Sequence, residues 1–265
     1  MSGLVADAVT VRLGGRVALD RASVRVRPGR VVAIIGPNGA GKSTLLSALA
    51  GDLRPAAGSV RLDGVDLDAF TPAELARRRA VLAQSNELAF PFTVGETGRL
   101  GLPPGLPRME GDAIVARNLA VVGLEGADDR PCPELSGGER QRVHLARVLA
   151  QLDAAPAGPA RYLLLDEPTA SLDLEHQLAT LALARRHARS GGGVLAVLHD
   201  VNLAAMAADE IVALKAGAVA ASGPPAEVLT DALVRTLYGV EARVRGVPDG
   251  PFLLPQTVVQ VDAQA

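Results

Sequence analysis

The sequence predicts an α/β fold in which a mainly parallel sheet carries an N-terminal antiparallel β subdomain and an inserted helical subdomain. Three observations lead there. Val31–Ile35 is a continuous apolar run, as in a strand buried on both faces, and a Gly-rich turn and a helical stretch follow it. Tyr162–Asp166 and Val194–Leu198 are two further apolar runs, joined by a helical pattern over about 174–190. That connection is long enough for the crossover that parallel strands need. Between these parts, residues from about 86 to 152 show loop and helix patterns instead of strands.

Taken in order, Leu4–Val11, Ala22–Val26 and Ser59–Leu62 are apolar or alternating, with Gly14-Gly15, Pro28-Gly29 and Asp63-Gly64 as the turns. The helix after the Gly-rich turn runs from about Lys42 to Ala50, where Gly51 ends it. Ala80–Ala83 is a short strand ending at Gln84. Pro91, Pro103, Pro104 and Pro107 mark a loop-rich stretch, and helical patterns follow over about 110–123 and 137–152. Ile211–Leu214 and Ala218–Ser222 form a hairpin around Ala216-Gly217. The expected division is a domain over 1–240, with the helical subdomain at about 86–152, and a tail over 241–265 whose end lacks order.

Composition narrows the function. The chain has 265 residues, enough for a sizeable core, and 48% of them are hydrophobic while only 2% are aromatic. Ala, Val and Leu must therefore fill the interior. A formal charge of −2 gives no electrostatic reason to bind nucleic acid or an anionic membrane. Cys132 is the single cysteine, so no disulfide closes within the chain and a reducing compartment fits; between Pro131 and Pro133 it reads as a loop thiol without a role. No apolar run approaches the ~18 residues of a membrane-spanning helix, and Met1-Ser2-Gly3-Leu4 does not open a signal peptide. The expectation is a soluble chain that reaches a membrane only through a partner. Its 27 basic residues include just two lysines, Lys42 and Lys215. A lysine at position 42 in so Arg-biased a chain points to a site needing a compact ammonium.

Gly36-Pro37-Asn38-Gly39-Ala40-Gly41-Lys42-Ser43 fits the phosphate-binding pattern G-x-x-x-x-G-K-[ST], with a buried strand before it and a helix after. Glycines let backbone N–H groups wrap phosphate oxygens. Lys42 supplies a point charge to the β- and γ-phosphates, the Ser43 hydroxyl ligates Mg²⁺, and Thr44 extends the set of cofactor-binding positions. The helix N-terminus adds partial positive charge. The chain therefore binds a nucleotide with Mg²⁺.

The strand Tyr162–Asp166 ends in two carboxylates. Strands often end in acidic turn residues, but beside a phosphate loop Asp166 becomes the metal ligand and Glu167 the base that orients or deprotonates water.

Leu135-Ser136-Gly137-Gly138-Glu139-Arg140-Gln141-Arg142 identifies the family. Ser136 and Glu139 form a capping box for the next helix, yet two glycines in the first turn oppose helix formation, by roughly 1 kcal/mol each in a helix interior. Close approach of a ligand to that N-terminus explains them. Here the chain resembles the ABC ATPase family, with its LSGGQ-type signature loop. Gln84 stands where that family has its Q-loop glutamine, Ser171-Leu172-Asp173 resembles its D-loop, and His199 its switch histidine. The resemblance covers about residues 4 to 240. It implies a head-to-tail homodimer with two ATPs at the interface, each between one phosphate loop and Ser136, Gly137 and Gly138 of the other copy. It also implies that His199 contacts the γ-phosphate and that Gln84 approaches Mg²⁺. In one respect the chain departs from the family, which has an aromatic near the N-terminus to stack on adenine. By its position before Gly14-Gly15 the equivalent is Val11, and no aromatic precedes Phe70, so base recognition is expected to be weak.

The membrane subunit is expected to be a separate chain. The run from Gln84 to Val94, with Phe90 and Phe92 flanking Pro91, lies where the family docks its membrane subunit; the two rings either pack under the loop or face an interface. This stretch resembles importers of iron chelates, cobalamin and haem. Phe90–Val94 and the Asp153–Arg161 extension are similar to haemin-import ATPases in particular. The resemblance implies two transmembrane permease subunits, a periplasmic solute-binding protein acting through them, and a peripheral position on the cytoplasmic face of the inner membrane. The alternatives within the family are siderophore or cobalamin import, and outside transport a soluble ABC ATPase. A P-loop GTPase is excluded because Lys215 is followed by Ala-Gly-Ala, which is no base-reading motif; a DNA-repair ATPase would need a long coiled-coil insertion.

Overall fold

The computed structural model describes residues 2–84 and 90–245. Strands β1 (Leu4–Leu13) and β2 (Arg16–Val26) form a hairpin, and β3 (Val31–Ile35) leads to helix α1 (Lys42–Ala50). β4 (Ala57–Leu62), β5 (Val65–Asp66), α2 (Pro72–Arg78) and β6 (Arg79–Leu82) follow. The helical part holds α3 (Val94–Arg99), α4 (Arg108–Val121) and α5 (Gly137–Ala154). Next come β7 (Tyr162–Asp166), α6 (Leu174–Arg189), β8 (Gly193–Val197), α7 (Val201–Ala207), β9 (Glu210–Lys215) and β10 (Ala218–Gly223). The short helices α8 (Pro225–Val228) and α9 (Asp231–Tyr238) close the order.

Two sheets form. The antiparallel one has the order β2-β1-β4-β5, and the larger one β10-β9-β3-β8-β7-β6. In the larger sheet β3, β6, β7, β8 and β9 run parallel, and β10 turns back against β9. Alternation along the central strands divides the interior in two. Val31, Ala33 and Ile35 face the core shared with α5 and α6, while Val32 and Ile34 face the core shared with α1 and the antiparallel sheet. Few rings are needed: Tyr162 is the one large aromatic fully buried among the described residues.

Register sets the site. Ile34 and Asp166 both pair with Val197, and Leu82 pairs with Leu165 one row earlier. The segments starting at Gly36, Gln84, Glu167 and Leu198 therefore leave the sheet along one edge, at the carboxyl ends where α/β sheets bind ligands.

The N-terminal strands are longer than the apolar runs suggest. Gly14 and Gly15, at φ 54° and 79°, make so tight a turn that β1 and β2 continue up to it. The helix expected from 110 begins at Arg108, and α2, α3, α7, α8 and α9 have no counterpart in the sequence reading. The longest of these has eight residues, too few for a 3.6-residue period to be visible. Their caps carry the signal instead: Thr71 with Glu74, and Thr93 with Glu96, are complete capping boxes. The expected tail lies outside the described residues from 246 on. The Asp153–Arg161 extension is pinned at both ends. Asp153 accepts from Arg117 at 3.1 Å and Asn118 at 3.0 Å, and the Arg161 guanidinium donates to the carbonyls of Leu152, Ala155 and Pro156.

Candidate active site

The phosphate loop is shaped by neighbours that leave no room for side chains. A Cβ on Gly36 (φ 147°) would lie 2.2 Å from the Leu214 carbonyl, and one on Gly41 (φ 98°) would meet the Ala18 carbonyl at 2.7 Å. Gly41 caps α1 without any side-chain bond, so the first N–H groups of the helix have no side-chain acceptor at the cap. Lys42 is 6% exposed and folds back over the loop, donating to the Gly36 carbonyl at 2.9 Å and the Pro37 carbonyl at 3.0 Å. Burial lowers the pKa of its ammonium, while the charges of Glu167 and Asp166 hold it up. Ala40 is buried under the loop.

Asp166, at the end of β7, is 5% exposed and accepts from the Ser43 hydroxyl at 3.2 Å. Its carboxyl is raised above the usual range, mainly by burial and further by Glu167, against the Ser43 bond and the charges of Lys42 and His199. The next residue, Glu167, adopts φ 51°, a left-handed conformation costly for a non-glycine residue. Three backbone and side-chain bonds brace it. Its N–H donates to the Val197 carbonyl at 3.2 Å, and its own carbonyl accepts from Ala170 N–H at 3.1 Å and from Gln141 Nε2 at 3.5 Å. The carboxylate is thereby aimed at the end of β8, where His199 Nε2 lies 2.5 Å from Glu167 Oε1.

These groups enclose a cavity of about 460 Å³. Asn38, Gly39, Gly41, Lys42, Ser43 and Thr44 form one side, and Gln84, Glu167 and His199 the other. A larger cavity of about 530 Å³, with Asp7, Arg25, Arg61 and Glu210 in its lining, lies beside the antiparallel sheet and contains none of the motif residues. Chemistry therefore favours the smaller one. Mg²⁺ takes hard oxygen ligands, typically one or two from protein, with phosphate and water completing six. Ser43 Oγ and Asp166 Oδ1 beside the loop, with Gln84 opposite, fit that need. No cluster of three His, Cys, Asp or Glu able to hold a metal occurs among the described residues.

Ser136, Gly137 and Gly138 do not line this cavity. Ser136 caps α5: its hydroxyl accepts from Glu139 N–H at 3.2 Å, and Glu139 accepts from Ser136 N–H at 2.9 Å and from Arg130 at 2.8 Å. Those bonds hold the Glu139 carboxyl down at about 2. Part of the glycine requirement is internal, since a Cβ on Gly138 would stand 3.1 Å from the Ser171 carbonyl. Ser171 is itself left-handed, at φ 61°.

Val11 is a correction. It is 2% exposed, pairs with Leu19 and packs in the core, so it cannot face a base. The exposed apolar side chains of that hairpin are Leu13 and Val17, each 45% exposed. Along β1 Leu13 follows Val11 by one pleat, whereas Val17 lies beyond a register shift and pairs with Arg12. Gln141 is a contact that the sequence reading missed, and no local signal marks it.

Of the docking run, residues 85–89 lie outside the described residues. Phe90 is 69% exposed and Phe92 partly covered, their rings edge-to-face with centroids 6.2 Å apart. The other histidines are engaged elsewhere: His176 with Asp173 at 2.6 Å, His187 with the Arg161 carbonyl at 3.1 Å, and His144 buried in α5. Among the described residues no helix is long and apolar enough to cross a membrane.

Residues 19–170 match the family model described as ABC transporter. The chain is 49% identical over 263 residues to the hemin import ATP-binding protein HmuV of Rhodopseudomonas palustris strain BisA53, covering 98% of this chain and 97% of that one. The protein of the same name from Rhizobium meliloti strain 1021 is 48% identical over 256 residues, covering 95% and 98%. Among solved structures, an ATP-binding subunit of an ABC transporter superposes with a TM-score of 0.75 at 25% identity, covering 91% of this chain and 96% of that one.

Proposed function

The chain belongs to the ABC transporter family, as an ATP-binding and ATP-hydrolysing subunit of a bacterial importer, and on that premise we propose that the solute it helps to import is haem. The near-full-length likeness to proteins named for hemin import carries the choice of solute. The convergence of Lys42, Ser43, Asp166, Glu167 and His199 on one cavity supports the chemistry.

In this reading Lys42 exchanges its two carbonyl partners for the β- and γ-phosphates of ATP. Ser43, Asp166 and Gln84 hold Mg²⁺, which when bound draws charge from the phosphate oxygens. Glu167 orients the attacking water and takes its proton as the water oxygen bonds to the γ-phosphorus and the bond to the β-γ bridging oxygen breaks. His199 keeps the Glu167 carboxylate aimed, and donates to the γ-phosphate once ATP is present. Ser136, Gly137 and Gly138, away from their own cavity, complete the cavity of a second copy in a head-to-tail dimer. Closing that dimer drives two transmembrane permease subunits, which take the solute from a periplasmic binding protein while this chain stays at the cytoplasmic face of the inner membrane. Phe90 belongs to the docking surface for the permease.

Reconstitution with a cognate permease in liposomes tests this. ATPase stimulation by a haem-loaded binding protein is expected. Stimulation by siderophore- or cobalamin-loaded protein and not by the haem-loaded one would reassign the solute.

A further inference from the structure

The segment that follows Glu167 is wound tightly. Ser171, at φ 61°, is a second left-handed residue after Glu167 at φ 51°. Two internal bonds close the turn. Ala170 N–H donates to the Glu167 carbonyl at 3.1 Å, and Leu172 N–H to the Thr169 carbonyl at 3.4 Å. Helix α5 presses on one side of it. Gln141 Nε2 lies 3.5 Å from the Glu167 carbonyl, and a Cβ on Gly138 would stand 3.1 Å from the Ser171 carbonyl and 3.5 Å from Leu172 Cδ2.

Helix α6 holds the turn through one side chain. Asp173 caps the helix, accepting from His176 N–H at 3.0 Å, so α6 starts where the turn ends. Side chains of a helix lean toward its N-terminus, so a long residue one turn in reaches back over the start. Gln177, half-buried, does this. Its Nε2 donates to the Leu172 carbonyl at 3.1 Å and to the Thr169 carbonyl at 3.4 Å. One amide thus bridges both ends of residues 169–172.

We infer that Gln177 is a positioning residue for hydrolysis, fixing residues 169–172 and through them the backbone that aims Glu167. Gln177 does not line the cavity, so it acts through the turn and touches no reacting atom. The left-handed backbone of Glu167 persists only while its surroundings over-determine it. Freeing residues 169–172 loosens the Ala170 bond to the Glu167 carbonyl, and with it the direction of the carboxylate. Lys42 is anchored elsewhere, on the Gly36 and Pro37 carbonyls, and Asp166 by its place in β7. The effect therefore belongs on kcat and not on nucleotide affinity.

Gln177 can act in this way only if Glu167 is the base, and a double-mutant cycle separates the two claims. Purified full-length wild type, Gln177→Met, Gln177→Lys, Glu167→Gln and the combined Gln177→Met and Glu167→Gln variant are compared. The measurements are kcat, KM, Mg-ATP affinity and melting temperature. Met keeps the reach of the side chain and loses the donor. Losing the amide bonds should lower kcat roughly two- to tenfold, with KM, Mg-ATP affinity and melting temperature close to wild type. Gln177→Lys, which brings back an N–H donor, should recover part of the loss. In the Glu167→Gln background Gln177→Met should cost little further turnover, because it acts through that carboxylate. A Gln177→Met variant with wild-type kcat overturns the positioning role. So does lost turnover that tracks an earlier melting point, a Lys variant that recovers nothing, or an undiminished loss in the Glu167→Gln background. Turnover of Glu167→Gln near wild type would remove the base reading, and the role of Gln177 with it.

Discussion

His199 Nε2 and Glu167 Oε1 stand 2.5 Å apart across the ends of neighbouring strands β8 and β7. The pairing is produced by backbone geometry. Glu167 is turned into its left-handed conformation and tied to the Val197 carbonyl, two residues before the histidine. A strained residue persists only where its surroundings over-determine it.

Replacing His199 by Ala releases the carboxylate. Misplacing a catalytic group by about 1 Å can cost ~10²-fold. We therefore expect kcat to fall about a hundredfold, with ATP affinity changed only severalfold. His199→Gln, which retains an N–H donor, should recover part of the loss. Equal turnover in His199→Ala and wild type would show that the pair is idle.

Leu13, not Val11, is an exposed apolar side chain of the N-terminal hairpin, at 45% exposure. An aromatic stacked on a base is worth ~1–3 kcal/mol, roughly a five- to hundredfold change in affinity. Leu13→Tyr should thus raise the ATP-over-GTP preference by a factor in that range, and the unmodified protein should let GTP compete readily. Val11→Ala should lower the melting temperature and leave base preference unchanged. A strong native preference for ATP, untouched by changes at Leu13 or Val17, would mean that another group reads the base.

Asp166 destabilises the nucleotide-free protein as a buried carboxylate. Its folded pKa is raised above the ordinary 3.8, so the folded chain holds the proton to higher pH than the unfolded chain does. Stability should accordingly fall as pH rises from about that value through the raised pKa. Asp166→Asn should remove this slope, melt higher than wild type at neutral pH without nucleotide, and lose the Mg²⁺ dependence of ATP binding. Melting curves at several pH values check the sign, and a lower melting point for Asp166→Asn at neutral pH would contradict it.

Much of this was legible in the residues. The phosphate loop, the acidic pair and the position of His199 follow from apolar runs that end in unusual residues, and the sheet register brings those ends together. Short helices escaped because a six-residue segment such as α3 shows no periodicity, although Thr93 and Glu96 announced its start. Gln141 escaped for another reason. It reaches the Glu167 carbonyl from α5, and only packing puts it there. Val11 failed because alternation tells which residues share a face, not where along that face the core ends.

The most direct test is the steady-state ATPase rate of Glu167→Gln beside its ATP affinity. Removing the proton acceptor while leaving Lys42, Ser43 and Asp166 in place should lower turnover by ~10²–10⁴-fold. ATP binding should be preserved, and the variant should form an ATP-dependent dimer. Turnover near the wild-type rate would contradict the assignment of Glu167 as the base and the chemistry built on it.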